Sequence, residues 1–160
     1  FYLNYQGIQH YTLAQVDPRP PAADSLTAAG AGLSDKPALP LTEAERQLER
    51  EVIRVIEEEQ LYLTPSVSLN DLADRLGTNR HLVSKVINAQ AGRSFYDLIN
   101  GYRVEHLKKL LDDPQNAPFT ILALGLDSGF NSKASLNRIF KNLTGLTPRQ
   151  YLDRKSQPTP

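Results

Sequence analysis

The chain has 160 residues, with eighteen Lys/Arg balanced by eighteen Asp/Glu, and neither cysteine nor methionine. Disulfides, thiolate metal sites and a cysteine nucleophile are therefore excluded, and no apolar run reaches the length of a membrane span or completes a secretory signal. The zero net charge hides an imbalance: residues 1–65 hold five basic and ten acidic side chains, residues 66–160 thirteen and eight. A basic half is what a polyanionic partner requires, although the excess is modest.

The chain opens Phe1-Tyr2-Leu3 without an initiator, so we expect a piece of a longer protein. Residues 1–16, with Phe1, Tyr2, Tyr5 and Tyr11, read as the remnant of an upstream sensor or juxtamembrane segment. Residues 17–40 contain five prolines, six alanines and two glycines. Such a stretch buries too little apolar surface to offset its ordering entropy, and a disordered linker is expected. At about 5–6 Å times the square root of its length it would span roughly 27 Å.

From Leu41 the pattern becomes helical. Thr42 followed by Glu45 is a capping box, predicting a helix to about Leu63 with Leu48, Val52, Val55, Ile56 and Tyr62 inward and Pro65 as its stop. Ser68 to Leu76 forms a short helix stopped by Gly77, and a third helix runs from about Asn79 to Gln90, halted by Gly92. Ser94 caps a long helix through Leu111, and Thr120 begins a short one through about Asp127. Asn131 or Ser132 caps the sixth, which reaches Leu143, and Thr147-Pro148 opens the last. No segment alternates as a strand should. The expected fold is all-α, about seven helices over residues 41–156. It divides into a first unit (41–93), a linker helix (94–113) and a second unit (118–156).

The two units share one skeleton. Leu76-Gly77-Thr78-Asn79-Arg80-His81 through Ile87 and Gly92 aligns with Ser128-Gly129-Phe130-Asn131-Ser132 through Phe140 and Gly145, pairing Lys85 with Arg138 and Ser94 with Thr147. At about 100° per residue, Leu82, Val83, Val86 and Ile87 face inward, and His81, Ser84, Lys85 and Asn88 outward. In the second unit Leu136, Ile139, Phe140 and Leu143 are inward, and Ala134, Asn137, Arg138 and Lys141 outward. A short helix, a tight glycine turn and a second helix form a helix-turn-helix. Outward Arg, Lys, Asn and small apolar groups are what reads base edges in a major groove. Helix starts and their flanks hold phosphates, which points to Asn79, Arg80, Asn131, Ser132 and Thr147, and the outward cation Lys141 joins them. A central helix of seventeen residues, roughly 25 Å long at about 1.5 Å each, would set the two readers about 34 Å apart, one turn of double-stranded DNA.

From about Ile53 to Tyr151 the sequence resembles the DNA-binding domain of AraC/XylS-type bacterial transcription regulators. The resemblance rests on Gly129-Phe130, Ser132, Asn137-Arg138, Phe140-Lys141, Gly145 and Thr147-Pro148. In the first half it rests on Leu69, Leu72-Ala73, Leu76-Gly77, Leu82, Ser94-Phe95 and Tyr102-Arg103. It implies transcriptional control, usually activation, with RNA polymerase as a partner and no cofactor. By position it implies base reading by His81, Ser84 and Lys85, and by Lys133, Ala134, Asn137 and Arg138. It also implies a separate sensor or dimerisation module upstream, and hence a homodimer in the full-length protein. That sensor is either soluble or membrane-embedded, the second reading favoured because Tyr and Phe prefer membrane interfaces. The DNA-binding part would be cytoplasmic and the parent anchored in the inner membrane. Three positions depart from the pattern: Leu136 where Phe is frequent, Leu152 where Arg is frequent, and Gly125 where Ala is usual. The last should loosen its helix by about 0.5–1 kcal/mol.

An enzyme is not expected. His10, His81 and His106 share no metal-ligand spacing with carboxylates, and Gly125 to Gly129 lacks the lysine of a phosphate loop. The stronger rival is a helical protein-interaction module, in which the helix from Thr42 pairs with a partner. The reading preferred here packs it on the first unit instead.

Overall fold

A computed structural model describes residues 41–155; the expectations for residues 1–16 and 17–40 lie outside the described residues. Among the described residues there are seven α-helices and no strand: α1 (Glu43–Glu58), α2 (Leu69–Arg75), α3 (Arg80–Ala91), α4 (Phe95–Asp112), α5 (Ile121–Asp127), α6 (Lys133–Thr144) and α7 (Pro148–Lys155). No helix among them is long and apolar enough to cross a membrane.

Local chemistry sets most of the helix starts. Thr42, Ser68 and Ser94 each accept a hydrogen bond from the backbone N–H three residues on, and the carboxylates of Glu45, Asp71 and Asp97 accept one from the cap residue's own N–H. Asn79, Thr120 and Ser132 cap α3, α5 and α6 through single side-chain acceptors. Of the two candidates for the α6 cap, Ser132 therefore holds it.

The first helix is shorter than its pattern predicts. It stops at Glu58 rather than reaching Leu63; Gln60 takes a left-handed φ of 49°, and Leu61–Leu63 form a 3-10 turn. A left-handed residue costs about 1–2 kcal/mol, whereas burying a large apolar side chain gains about 1.5–3 kcal/mol. The kink buries two of them, Leu61 and Tyr62, and Tyr62 stacks on Tyr102 with ring centroids 5.5 Å apart. Burial wins, and Pro65 plays no part in ending the helix.

Two cores share one strut. Val52 and Ile56 of α1, Leu72 of α2, Val83, Val86 and Ile87 of α3, and Phe95, Ile99 and Tyr102 of α4 close the first. Val104 and Leu107 from the same α4 enter the second, with Leu124 of α5, Phe130, and Leu136 and Phe140 of α6; Tyr151 of α7 packs edge-on to Phe140. The apolar stripe of α1 is spent on α3 and the Leu61–Leu63 turn, which removes the face that an interaction module would have offered. At 18 residues α4 is about 27 Å long, using about 1.5 Å per residue.

Candidate nucleic-acid interface

The duplication seen in the residues extends to the hydrogen bonds. At the end of α2, Gly77 N–H donates to Asp74 O (3.2 Å) and Thr78 N–H to Ala73 O (3.0 Å). At the end of α5, Gly129 N–H donates to Leu126 O (2.9 Å) and Phe130 N–H to Gly125 O (3.1 Å). Both are the paired bonds of a Schellman stop, with the glycine at φ 60° in one and 87° in the other. Each turn delivers a second helix with one face on its core and the other outward.

On α3, Val83 and Val86 are fully buried while Arg80, His81, Lys85 and Asn88 are exposed; Ser84 is half-buried and accepts from Asn88 Nδ2 at 3.4 Å. On α6, Leu136 and Phe140 are buried while Lys133, Ala134, Arg138 and Lys141 are exposed and Asn137 half-buried. The structure thus gathers His81, Ser84 and Lys85 on one helix face, and Lys133, Ala134, Asn137 and Arg138 on another. Asn131 is exposed in the turn before α6. The polar groups of Asn79, Ser132 and Thr147 have internal partners. Asn79 Oδ1 accepts from Leu82 N–H (2.9 Å), Ser132 Oγ accepts from Ser135 N–H (3.2 Å), and Thr147 shares its hydroxyl and N–H with Gln150.

The cations of the two helices differ in their surroundings. Among the described residues Lys133, Arg138 and Lys141 enter none of the ion pairs. Lys85 instead lies 2.5 Å from Glu45 of α1, forty residues earlier. The Lys85 ammonium beside it, helped by the Thr42 backbone N–H, holds the Glu45 carboxyl below the usual carboxylate range.

A polar joint holds α4 between the units. Arg103, 8% exposed, donates from Nε to Tyr62 O (2.7 Å) and from Nη2 to Thr64 O (2.8 Å) and Pro65 O (3.2 Å), three carbonyls of the kink after α1. Burial pushes its guanidinium below the ordinary arginine value. The carbonyls stand in for the water it gave up. Gly129 lies against the same place: a Cβ built there would fall 2.2 Å from Tyr62 O and 3.0 Å from Arg103 Nε. One turn along α4, His106 Nδ1 is 3.1 Å from the Oγ of fully buried Ser128. That hydroxyl spends its proton on Leu124 O (2.8 Å), so His106 Nδ1 must be the donor. Burial, with Lys109 nearby, lowers the His106 pKa, and Asp127 opposes the shift.

The motifs mark Glu45 only as a capping carboxylate and Arg103 and Gly129 only as family positions, with no pointer to Lys85 or to the joint. Arg103 did leave a signal, because it sits between Ile99 and Leu107 at four-residue spacing, in the middle of a buried stripe. The Glu45–Lys85 pair left none, since nothing local links residues forty apart.

A family model described as a helix-turn-helix domain matches residues 72–154. An uncharacterised HTH-type transcriptional regulator of Staphylococcus aureus (strain COL) is 34% identical over 92 residues, 58% of this chain. The TCP pilus virulence regulatory protein of Vibrio cholerae serotype O1 is 29% identical over 82 residues, 51% of this chain and 28% of its own length. The chain spans only 12% of the length of the staphylococcal relative. A Listeria innocua protein of unknown function has a similar solved structure, with a TM-score of 0.56, 25% identity, and coverage of 66% of this chain and 94% of that one. The C-terminal domain of AraT, a response regulator from Geobacillus stearothermophilus, shares the fold at a TM-score of 0.56 and 20% identity, over 74% of this chain and 90% of its own.

Proposed function

Because this chain belongs to the AraC/XylS-type family of helix-turn-helix, DNA-binding transcription regulators, we propose that α3 and α6 enter two successive major-groove segments of one duplex and read sequence there. The observation that carries this is the repeated Schellman turn, each copy presenting a helix whose outer face is polar and basic. His81, Ser84 and Lys85 would meet base edges in one box, and Lys133, Ala134, Asn137 and Arg138 in the other, with Arg138 matched to a guanine. Arg80, Asn131 and Lys141 would lie along the phosphates. Asn79, Ser132 and Thr147, already spent as caps, would act by presenting helix N-termini to them.

In the parent protein we infer a cytoplasmic, DNA-reading end of an activator that works through RNA polymerase. An upstream sensor, soluble or membrane-embedded, would bring two copies together. An exposed apolar row, Phe119 with Leu122 and Leu126 of α5, supports a protein contact beside the second box. The rival reading, an interaction module without base specificity, has lost its candidate face to the packing of α1.

The test is selection of bound duplexes from a random pool. Two enriched boxes with centres about ten base pairs apart are expected, with binding that weakens steeply as salt rises. Lys85→Ala should relax preference at one base position in one box, and Arg138→Ala at one position in the other. A pool with no enrichment at any salt would refute base reading.

A further inference from the structure

We infer that Glu45 weakens the DNA contact of the first unit by holding Lys85 away from the phosphates that any duplex offers. The inference rests on α3 meeting DNA. The carboxylate is fixed at both oxygens: Oε2 accepts the Thr42 backbone N–H at 2.9 Å, and Oε1 accepts Lys85 Nζ at 2.5 Å. Its side chain is 13% exposed while that of Lys85 is 54% exposed. The anion is therefore built into the start of α1, and the cation is the exposed member of the pair.

A phosphate approaching Lys85 must displace a partner that is already in place, so exchange on a random duplex gains little. A guanine edge, with two acceptors in fixed register, must displace the same partner. Glu45 thus subtracts from whatever contact Lys85 makes on any sequence. The second unit has no such brake among the described residues, since Lys133, Arg138 and Lys141 make no ion pair there. General attraction to DNA then falls mainly to α6.

Glu45→Gln tests this without dismantling the helix start, because glutamine also serves a capping box. Glu43→Gln is the control: it removes the same charge two residues away, where the partners are Arg46 and Arg50. Binding to a random duplex and to the selected duplex is measured across a salt series. Glu45→Gln should tighten random-duplex binding about two- to fivefold, the upper range for an exposed pair. It should also steepen the salt slope by about 0.9, one added phosphate contact, and tighten the selected duplex at least as much. In a Lys85→Ala background the steepening should vanish. If Glu45→Gln behaves like Glu43→Gln, or its effect survives loss of Lys85, the role of Glu45 is refuted while base reading stands. If the unsubstituted chain binds neither duplex, DNA contact by α3 fails and this inference with it.

Discussion

Replacing Gly77 and Gly129 in turn by alanine separates what the duplicated turn needs from what the joint between the units needs. The two glycines end equivalent helices with the same paired hydrogen bonds, at φ 60° and 87°. A methyl on Gly77 would meet nothing within 4 Å, so its cost is that of a left-handed alanine alone, about 1–2 kcal/mol. A methyl on Gly129 would meet Tyr62 O at 2.2 Å, Arg103 Nε at 3.0 Å and the Leu63 carbonyl carbon at 3.1 Å. Two of those atoms are backbone, and Tyr62 O is held by Arg103 itself, so relief requires the second unit to move off the first. Overpacking of that kind adds about 1–3 kcal/mol, giving a total of about 2–5 kcal/mol for Gly129→Ala. Urea titration of both variants gives the difference directly, provided the slope with denaturant is unchanged. A second reading comes from DNA: Gly129→Ala should lose more affinity for a two-box duplex than for either box alone, and Gly77→Ala should not. Equal destabilisation by the two substitutions, with no selective loss on the two-box duplex, would refute the claim that Gly129 seats the units on each other.

Arg138→Ala should cost about 1–3 kcal/mol on the selected duplex and relax preference at one base position; an equal loss on random DNA would make Arg138 a phosphate contact instead. Lowered in pKa by burial, His106 takes up a proton less readily in the folded chain than in the unfolded one. Its contribution is complete above about pH 6.5, its ordinary value, and is lost as pH falls below that. Thermal midpoints taken between pH 7.5 and 5.5 should decline less in His106→Asn, which keeps an N–H donor for Ser128; an unchanged slope would show that His106 is not the titrating group. For Gly125→Ala, the gain of about 0.5–1 kcal/mol in helix preference opposes a clash with Leu136 Cδ2 at 2.5 Å. Overpacking costs about 1–3 kcal/mol, so urea denaturation should show a net loss. In a Leu136→Ala background the same change should be stabilising, and a loss of equal size there would exclude the clash as its cause.

The parts of this fold that were legible in the residues are those that chemistry settles within a few positions. Thr42, Ser68, Ser94, Thr120 and Thr147 each announce a helix start, and Gly77, Gly92, Gly129 and Gly145 each announce a stop. The outward faces of α3 and α6 follow from period alone. What escaped depends on encounters between distant segments. No glycine or proline marks the break after Glu58, because it is made by Leu61 and Tyr62 seeking α4. Arg103 matched a family pattern, but its three carbonyl partners lie about forty residues away along the chain. Gly125 and Leu136 looked like two separate departures from that pattern. In the fold they are one, since Leu136 fills the space where an alanine methyl at 125 would stand.

That α4 feeds both cores turns its length into a phase setting. A single inserted residue would rotate everything downstream by about 100° and advance it by about 1.5 Å. Inserted between Tyr102 and Val104, it would carry the second core round as a body, and Gly129 would part from Tyr62. Only insertions close to two whole turns, about seven residues, would restore the facing, and they would carry the second reader roughly 10 Å further along. Spacing between the two boxes on DNA should therefore be intolerant of drift by one or two base pairs, and relatives with altered operator spacing should differ in this helix by nearly whole turns.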